Sequence, residues 1–263
     1  MHQNRLPREI LNNTFWLGDC LVQHYQGKTY HSYNSSYLVI GNEKALLVET
    51  GHPKDFNILH EQMIKILNKK KVPLKYIFTT HQETPHAGGI ARFLNLYPYV
   101  KVIGDVSDYH MAFPMFTDNF VSMEVGEKID LGRIEFFAAE PVVRDIRTSL
   151  WGFIHPQRIL FPGDGFAYSH YHWDGHCGKL AEEAESLNLF EVTSVFAELA
   201  LFWTNFVDMN IYSERLIKLI KELNVQCIAP THGLPIMNVE ETIPKVIEGL
   251  HGPYEKIASL YNN

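Results

Sequence analysis

Short apolar runs alternate along this chain with longer segments in which apolar residues recur at helical spacing, a pattern typical of layered α/β proteins. Residues 36–40 and 44–49 predict two strands, and Gly41-Asn42 between them is a turn signal, so we expect a hairpin. Residues 54–70 predict a helix, with lysines at the end where the helix dipole favours positive charge.

The rest of the chain repeats this order of strands followed by helices. Further strands are predicted at residues 14–19, 76–78, 100–103, 128–132, 134–138, 149–154, 158–161 and 225–229. Helices are predicted at residues 88–96, 179–207, 213–223 and 239–260, the third with Ser213 as its N-cap. Segment 104–120 has no regular period, and we interpret its methionines and phenylalanines as packing under a long loop rather than as a pocket wall.

Composition limits the class of protein. The 263 residues are 46% hydrophobic and 20% charged with a net charge of −7, which indicates one globular domain over residues 1–263 and argues against nucleic-acid binding. No apolar run approaches the roughly 18 residues that a membrane-spanning helix needs. The amino terminus lacks a signal-peptide core, and the three cysteines form no C-x-x-C pair. We therefore expect a cytoplasmic protein without a disulfide framework.

The first candidate metal ligands lie in the segment Thr79–Gly89, between a predicted strand and a predicted helix. His81, Glu83 and His86 place two imidazoles and a carboxylate within six residues, a set that suits a first-row transition metal. Pro85 stiffens the same loop. The alternative interpretation is a polar loop that contains histidines by chance.

Two more polar residues stand at the carboxyl ends of predicted strands. Asp164 lies between two glycines, and His232 precedes Gly233. Taken singly, Asp164 could be a turn residue and His232 a cap. Strand ends at one edge of a layered α/β fold converge, however, so these positions and the His81 loop together predict one site.

The order of these motifs resembles the metallo-β-lactamase fold, an αββα sandwich, and within it the flavodiiron proteins and the single-domain oxygen-binding diiron proteins. His81, Glu83 and His86 are similar to the H-x-E-x-D-H form of the family's metal motif. Three other segments are similar to the family as well: the hairpin at 34–51, Ile159–Phe166 and Ile228–Gly233. The resemblance covers nearly the whole chain, which is expected to end where the family's flavodoxin domain would begin.

Two positions depart from the family pattern. Pro85 stands where the family has an aspartate ligand, and Asp145 stands where it has a histidine. The resemblance then implies six ligands: His81, Glu83, His86, Asp145, Asp164 and His232. We infer that His81, Glu83 and Asp145 hold one metal, that His86 and His232 hold a second, and that Asp164 bridges them.

The implied cofactor is a pair of iron ions, because a carboxylate at Glu83 favours iron over zinc. Zinc or manganese is the alternative. Proline has no side-chain donor, so the second metal has fewer ligands, and a site with a single metal is a further alternative.

Other residues are expected around this site. Glu49 stands where the family has an aspartate that orients a ligand imidazole. The loop 168–176 follows Asp164, and its Tyr168, His170 and His172 are candidates for the pocket or for an extra ligand. The alternative for this loop is a polar aromatic surface.

Three functions are compatible with these features. The first is a non-haem diiron protein that binds, senses or reduces O2 or NO and takes electrons from a separate donor. The second is a metal-dependent hydrolase of phosphodiester or ester bonds. The third is a degenerate member that binds a ligand without catalysis. Exposed aromatic residues expected in segment 104–120 also make a homodimer plausible.

Overall fold

The computed structural model describes residues 6–171, 177–184 and 186–261. Within these residues fifteen strands form three sheets. The strands are β1 (Arg8–Leu11), β2 (Thr14–Leu17), β3 (Cys20–Tyr25), β4 (Lys28–Tyr33), β5 (Ser36–Ile40), β6 (Ala45–Val48), β7 (Leu74–Phe78), β8 (Lys101–Gly104), β9 (Phe120–Ser122), β10 (Lys128–Asp130), β11 (Glu135–Ala139), β12 (Trp151–His155), β13 (Ile159–Phe161), β14 (His170–Tyr171) and β15 (Cys227–Ile228).

Helices connect and cover these strands. The α-helices are α1 (Phe56–Lys70), α2 (Thr84–Ala87), α3 (Ile90–Leu96), α4 (Tyr109–Ala112), α5 (Leu189–Leu199), α6 (Asn210–Glu222) and α7 (Val239–Tyr261). Short 3-10 helices occur at Pro53–Asp55, Pro114–Asn119, Ala181–Glu183 and Phe202–Phe206. In the part of the chain that is described, no helix combines the length and the apolar character needed to cross a bilayer.

The first sheet has the order β1-β2-β5-β6-β7-β8-β9, antiparallel up to β6 and parallel from β6 onward. Its central strands are buried on both faces because their apolar side chains alternate between two cores. Val39 and Leu46 point into the core between the sheets. Leu38 and Leu47, one residue away on each strand, pack with α1 and α3 on the outer face. The predicted hairpin of β5 and β6 is confirmed.

The second sheet has the order β10-β11-β12-β13-β15 and lies against the first. Phe136 of β11 contacts Phe78 of β7, with ring centroids 4.8 Å apart, while the neighbouring Phe137 contacts Phe153 on the opposite face. Apolar residues of α5, α6 and α7 belong to the same core as this sheet. The predicted αββα sandwich is therefore confirmed.

A third, smaller sheet was absent from the sequence-based prediction. It has the order β14-β4-β3, with antiparallel pairing throughout. Its strands are rich in polar residues, so residues 20–33 lack the apolar run that identifies a buried strand. Four consecutive residues at the end of β4 are nevertheless buried.

Some predicted elements were wrong in detail. Residues 179–207 form no single helix, because α5 is flanked by two separate 3-10 helices. Ser213 lies inside α6 rather than at its N-cap, and its hydroxyl contacts His251 Nε2 at 2.8 Å. Gly88-Gly89 separates α2 from α3, and a Cβ at Gly89 would lie 2.6 Å from the carbonyl oxygen of Thr50.

Segment 104–120 only partly matches its interpretation as buried packing. Tyr109 is buried, and its hydroxyl contacts Thr79 Oγ1 at 2.5 Å. Met111 and Met115 are instead 68% and 89% exposed, whereas Phe113 is half-buried. The exposed large hydrophobic side chains of this segment are thus methionines rather than aromatic rings, and the homodimer stays a prediction.

Candidate metal centre

The loop after β7 carries three of the predicted ligands. β7 is a central parallel strand, and its carboxyl end delivers His81 directly to the edge where the two sheets meet. The first turn of α2 contains Pro85, a position that a helix tolerates because the missing N–H would have no helical partner. His86 follows in the same short helix and is fully buried.

Thr80 and Glu49 determine how the imidazoles of this loop are turned. The Thr80 hydroxyl donates to Glu49 Oε1 at 2.5 Å and lies 3.2 Å from Nδ1 of both His81 and His86. Glu49 Oε1 is also 3.1 Å from His86 Nδ1. Protons held at Nδ1 leave the Nε2 lone pairs of both rings available to a metal. Glu49 thus contacts one of the predicted ligand imidazoles, that of His86.

His232 is oriented in the same way, with its Nδ1 held by contacts to neighbouring residues. It follows β15, and its Nδ1 donates to the backbone carbonyl of Tyr33 at 2.6 Å. Ser32 Oγ lies 3.1 Å from the same nitrogen. The Nε2 atom of His232 therefore faces the centre, 3.7 Å from Asp164 Oδ1.

Asp164 stands between the histidines. Its Oδ1 is 3.4 Å from His86 Nε2, and its side chain is 6% exposed. The preceding Gly163 has φ +56°, and a Cβ there would lie 2.5 Å from Thr80 Oγ1. Glycine therefore lets the β13 loop approach the β7 loop closely enough for Asp164 to reach both histidines.

Asp145 and Glu83 approach His81 from the more open side. His81 Nε2 lies 3.4 Å from Asp145 Oδ2 and 3.9 Å from Glu83 Oε2. Asp145 belongs to the irregular segment between β11 and β12, so no strand end announces it in the sequence. Glu83 is 45% exposed and Asp145 11%.

These side chains form two overlapping groups that share His81. In each group the ligand atoms lie within 4.8 Å of one another: His81, His86 and Asp164 in one, and His81, Glu83 and Asp145 in the other. Within the described residues, His81 Nε2, His86 Nε2 and Asp164 Oδ1 are buried and have no hydrogen-bond partner. Buried polar atoms are normally satisfied, and imidazole and carboxylate donors suit iron, zinc or manganese. The residues present therefore fit a metal centre.

In the metal-free chain, burial and neighbouring charges shift the pKa values of three of these groups. Burial disfavours ionised Asp164, but the charges of His232 and His86 outweigh burial and lower the pKa of the Asp164 carboxyl. Burial lowers the pKa of His232, which favours the neutral imidazole that a metal requires. Burial and the charge of Asp145 raise the pKa of Glu83.

The remaining predicted residues are Tyr168, His170 and His172, and they do not form one group at the metal centre. The Tyr168 hydroxyl donates to the carbonyl of Leu234 at 2.7 Å, and its backbone N–H donates to the carbonyl of His232 at 3.2 Å. Tyr168 thus contacts His232 through its backbone. His170 belongs to a different cluster, with Cys20, His31 and Cys177. His172 and most of the loop 168–176 lie outside the described residues.

Sequence reasoning missed the groups that hold the ligands in place. Thr80, Tyr33 and Thr231 all contact a predicted ligand or Glu49; Thr231 Oγ1 donates to Glu49 Oε1 at 3.2 Å. Their residue types carry no chemical signal of their own, and the Tyr33 contact uses only the backbone. The position of Thr80 directly before His81 was the one available clue.

Comparisons with known proteins identify relatives by sequence and by fold. The chain is 21% identical over 244 residues to a nitric oxide reductase of Moorella thermoacetica, covering 87% of this chain and 57% of that protein. The fold superimposes on rubredoxin oxygen:oxidoreductase from Desulfovibrio gigas with a TM-score of 0.72 at 15% identity, over 94% of this chain and 61% of that one. The flavodiiron protein of Giardia intestinalis gives 0.69 at 14% identity, over 95% and 59%.

The chain spans little more than half the length of the first curated relatives that it matches. The structural matches are below 25% identity and establish the fold. A family model shows to which family the chain belongs, because the model of the ODP family of β-lactamase-fold proteins matches residues 33–233. That range contains every predicted ligand, from His81 to His232. The chain belongs to the ODP family of β-lactamase-fold proteins.

Proposed function

We propose that this chain is a non-haem diiron protein that binds O2 or NO, reduces or senses it, and receives electrons from a separate donor. The observation that carries the proposal is the pair of overlapping ligand groups, which share His81 and contain both imidazoles and carboxylates. Membership of the ODP family and similarity to a nitric oxide reductase support the same class of chemistry.

We assign one iron to His81, Glu83 and Asp145 and the second to His86 and His232, with Asp164 between them. When bound, iron at these ligands would supply open positions for a diatomic gas and one-electron redox changes. The carboxylate-rich group around His81 favours this metal, since hard oxygen donors suit iron better than they suit thiophilic metals. The group around His86 is poorer in oxygen donors because Pro85 provides none.

The protein's own groups have distinct tasks in this scheme. Thr80 and Glu49 keep the Nδ1 protons of His81 and His86 on the side away from the metals. Tyr33 does the same for His232 through its carbonyl. The imidazole of His81 is buried, whereas the carboxylates of Glu83 and Asp145 are more exposed. Ligand exchange therefore takes place on the side of these two carboxylates.

We infer that a small molecule enters on that side. A cavity of about 460 Å³ is lined by Asp145 together with Arg144, Arg147 and Trp203. Asp145 is a proposed iron ligand, so this cavity lies beside the proposed centre. O2 and NO are small and neutral, so the arginines of the cavity place no restriction on their entry.

Metal analysis of protein purified without added metal tests the proposal. We expect about two irons per chain and a visible absorption band that changes when O2 or NO is added to the reduced protein. Zinc or manganese in place of that iron, with turnover of a phosphodiester, would instead establish the hydrolase. Metal content that is the same in the wild type and in Asp164→Asn, before and after reconstitution, would establish the degenerate ligand-binding member.

A further inference from the structure

Four side chains outside the proposed iron centre form a second cluster of metal-ligating type. They are Cys20, His31, His170 and Cys177, and one ligand atom of each lies within 4.8 Å of all the others. His31 and His170 are each 2% exposed, Cys177 is 9% exposed, and Cys20 is half-buried. The mechanism proposed above uses none of these four residues.

The third sheet brings the four together. His31 of β4 is paired with His170 of β14, and Cys20 at the start of β3 is paired with Tyr33. Residues two apart on a strand share a face, and so do residues paired across strands. Cys20, His31 and His170 therefore project from one face of this sheet.

Cys177 is fixed against the same face by Tyr33. The backbone N–H of Gly178 donates to the Tyr33 hydroxyl at 2.6 Å, and the ring of Tyr33 stacks on His170 with centroids 5.7 Å apart. The Cys177 Sγ consequently lies 3.4 Å from His31 Nδ1. Cys20 Sγ is closer still to the same nitrogen, at 2.5 Å.

We propose that Cys20, His31, His170 and Cys177 bind a zinc ion as a closed, tetrahedral Cys2His2 site. Two thiolates and two imidazoles are one of the donor sets of structural zinc sites, in which protein side chains fill all four positions. With bonds of about 2.3 Å to sulfur and about 2.0 Å to nitrogen, sulfur and nitrogen ligands of one zinc lie about 3.5 Å apart. The Cys177–His31 distance matches this spacing, and zinc would separate Cys20 from His31 by about 1 Å more.

The zinc site has a direct connection to the proposed iron centre. His31 is followed in β4 by Ser32 and Tyr33, the two residues that contact Nδ1 of His232. His170 lies two residues beyond Tyr168, whose N–H donates to the carbonyl of His232. Zinc would tie β4 to β14 and so hold both groups that position His232; this part of the inference rests on the proposed function.

Metal analysis of the wild-type chain and of its cysteine variants tests the site. We expect about one zinc per chain in the wild type, lost in Cys20→Ser and in Cys177→Ser. Cys227→Ser is the matched control, because Cys227 is fully buried in β15 and lies outside the cluster. Asp164→Asn should lower the iron content and leave zinc unchanged, which separates a failure of this site from a failure of the proposed iron centre.

A second measurement covers the case in which the serine variants do not fold. Cobalt-loaded wild-type protein should absorb as a tetrahedral thiolate complex, and alkylation of Cys20 and Cys177 should require prior removal of metal by a chelator. Zinc retained in both serine variants would overturn the proposal. So would wild-type protein that binds no zinc or cobalt and from which a Cys20–Cys177 disulfide is recovered.

Discussion

Glu49→Gln tests whether the metal centre depends on the groups behind its ligands. Glu49 is 1% exposed, and its Oε1 receives the Thr80 hydroxyl, the Thr231 hydroxyl and His86 Nδ1. Its Oε2 lies 3.2 Å from the backbone N–H of Thr80. Glutamine has the same shape and the same tolerance of the observed φ of 61°, so the change removes charge and one acceptor with little effect on the backbone.

The expected magnitude follows from these contacts. A glutamine oxygen at the Oε1 position keeps its three bonds, but its NH2 group then faces the N–H of Thr80, which keeps only its 3.4 Å contact with the Oε1 position. Loss of the charged partner of His86 together with that mismatch should cost about 1.5–3 kcal/mol of unfolding free energy. Metal affinity should fall by about 10- to 100-fold, as is typical when a group that orients a ligand imidazole is removed.

Chelator competition measures the affinity, and chemical denaturation of the metal-free protein measures the stability. Glu61→Gln is the matched control, because Glu61 is an exposed residue of α1. Glu49→Asp retains the charge and should recover part of the affinity. If Glu49→Gln binds metal as tightly as the wild type, the orientation of His86 does not depend on this carboxylate and the reasoning fails.

Three further predictions concern the ligands themselves. Asp145→Ala should lower the metal content by about one ion per chain, whereas exposed Asp118→Ala should not; equal metal content in the two variants would remove Asp145 from the ligand set. Pro85→Asp should raise occupancy of the second metal, measured by metal analysis after reconstitution, because it returns an oxygen donor; unchanged occupancy would mean that position 85 does not face the metal. Burial disfavours the His86 imidazolium, but the charges of Glu49 and Asp164 outweigh burial and raise its pKa to about 10. The metal-free protein should therefore lose stability as the pH rises from about 6.5 to about 10, and denaturation that shows a gain over this range would contradict the assignment.

The sequence by itself determined the main layers and much of the candidate centre. Strands such as β5 and β6 are buried on both faces, and their apolar runs are therefore visible without a structure. Polar residues at strand ends stand out against such runs, which is why His81, Asp164 and His232 could be found. Asp145 has no such position and was reached only through resemblance to a family.

Only the tertiary structure decided which groups hold the ligands and where the remaining histidines and cysteines go. Thr80 and the carbonyl of Tyr33 act through contacts that no residue type announces. The Cys20–His31–His170–Cys177 cluster joins residues up to 157 positions apart (177 − 20), on polar strands that lack a clear period. Its spacing matches no local metal motif, because strand pairing rather than a short loop brings the four side chains together.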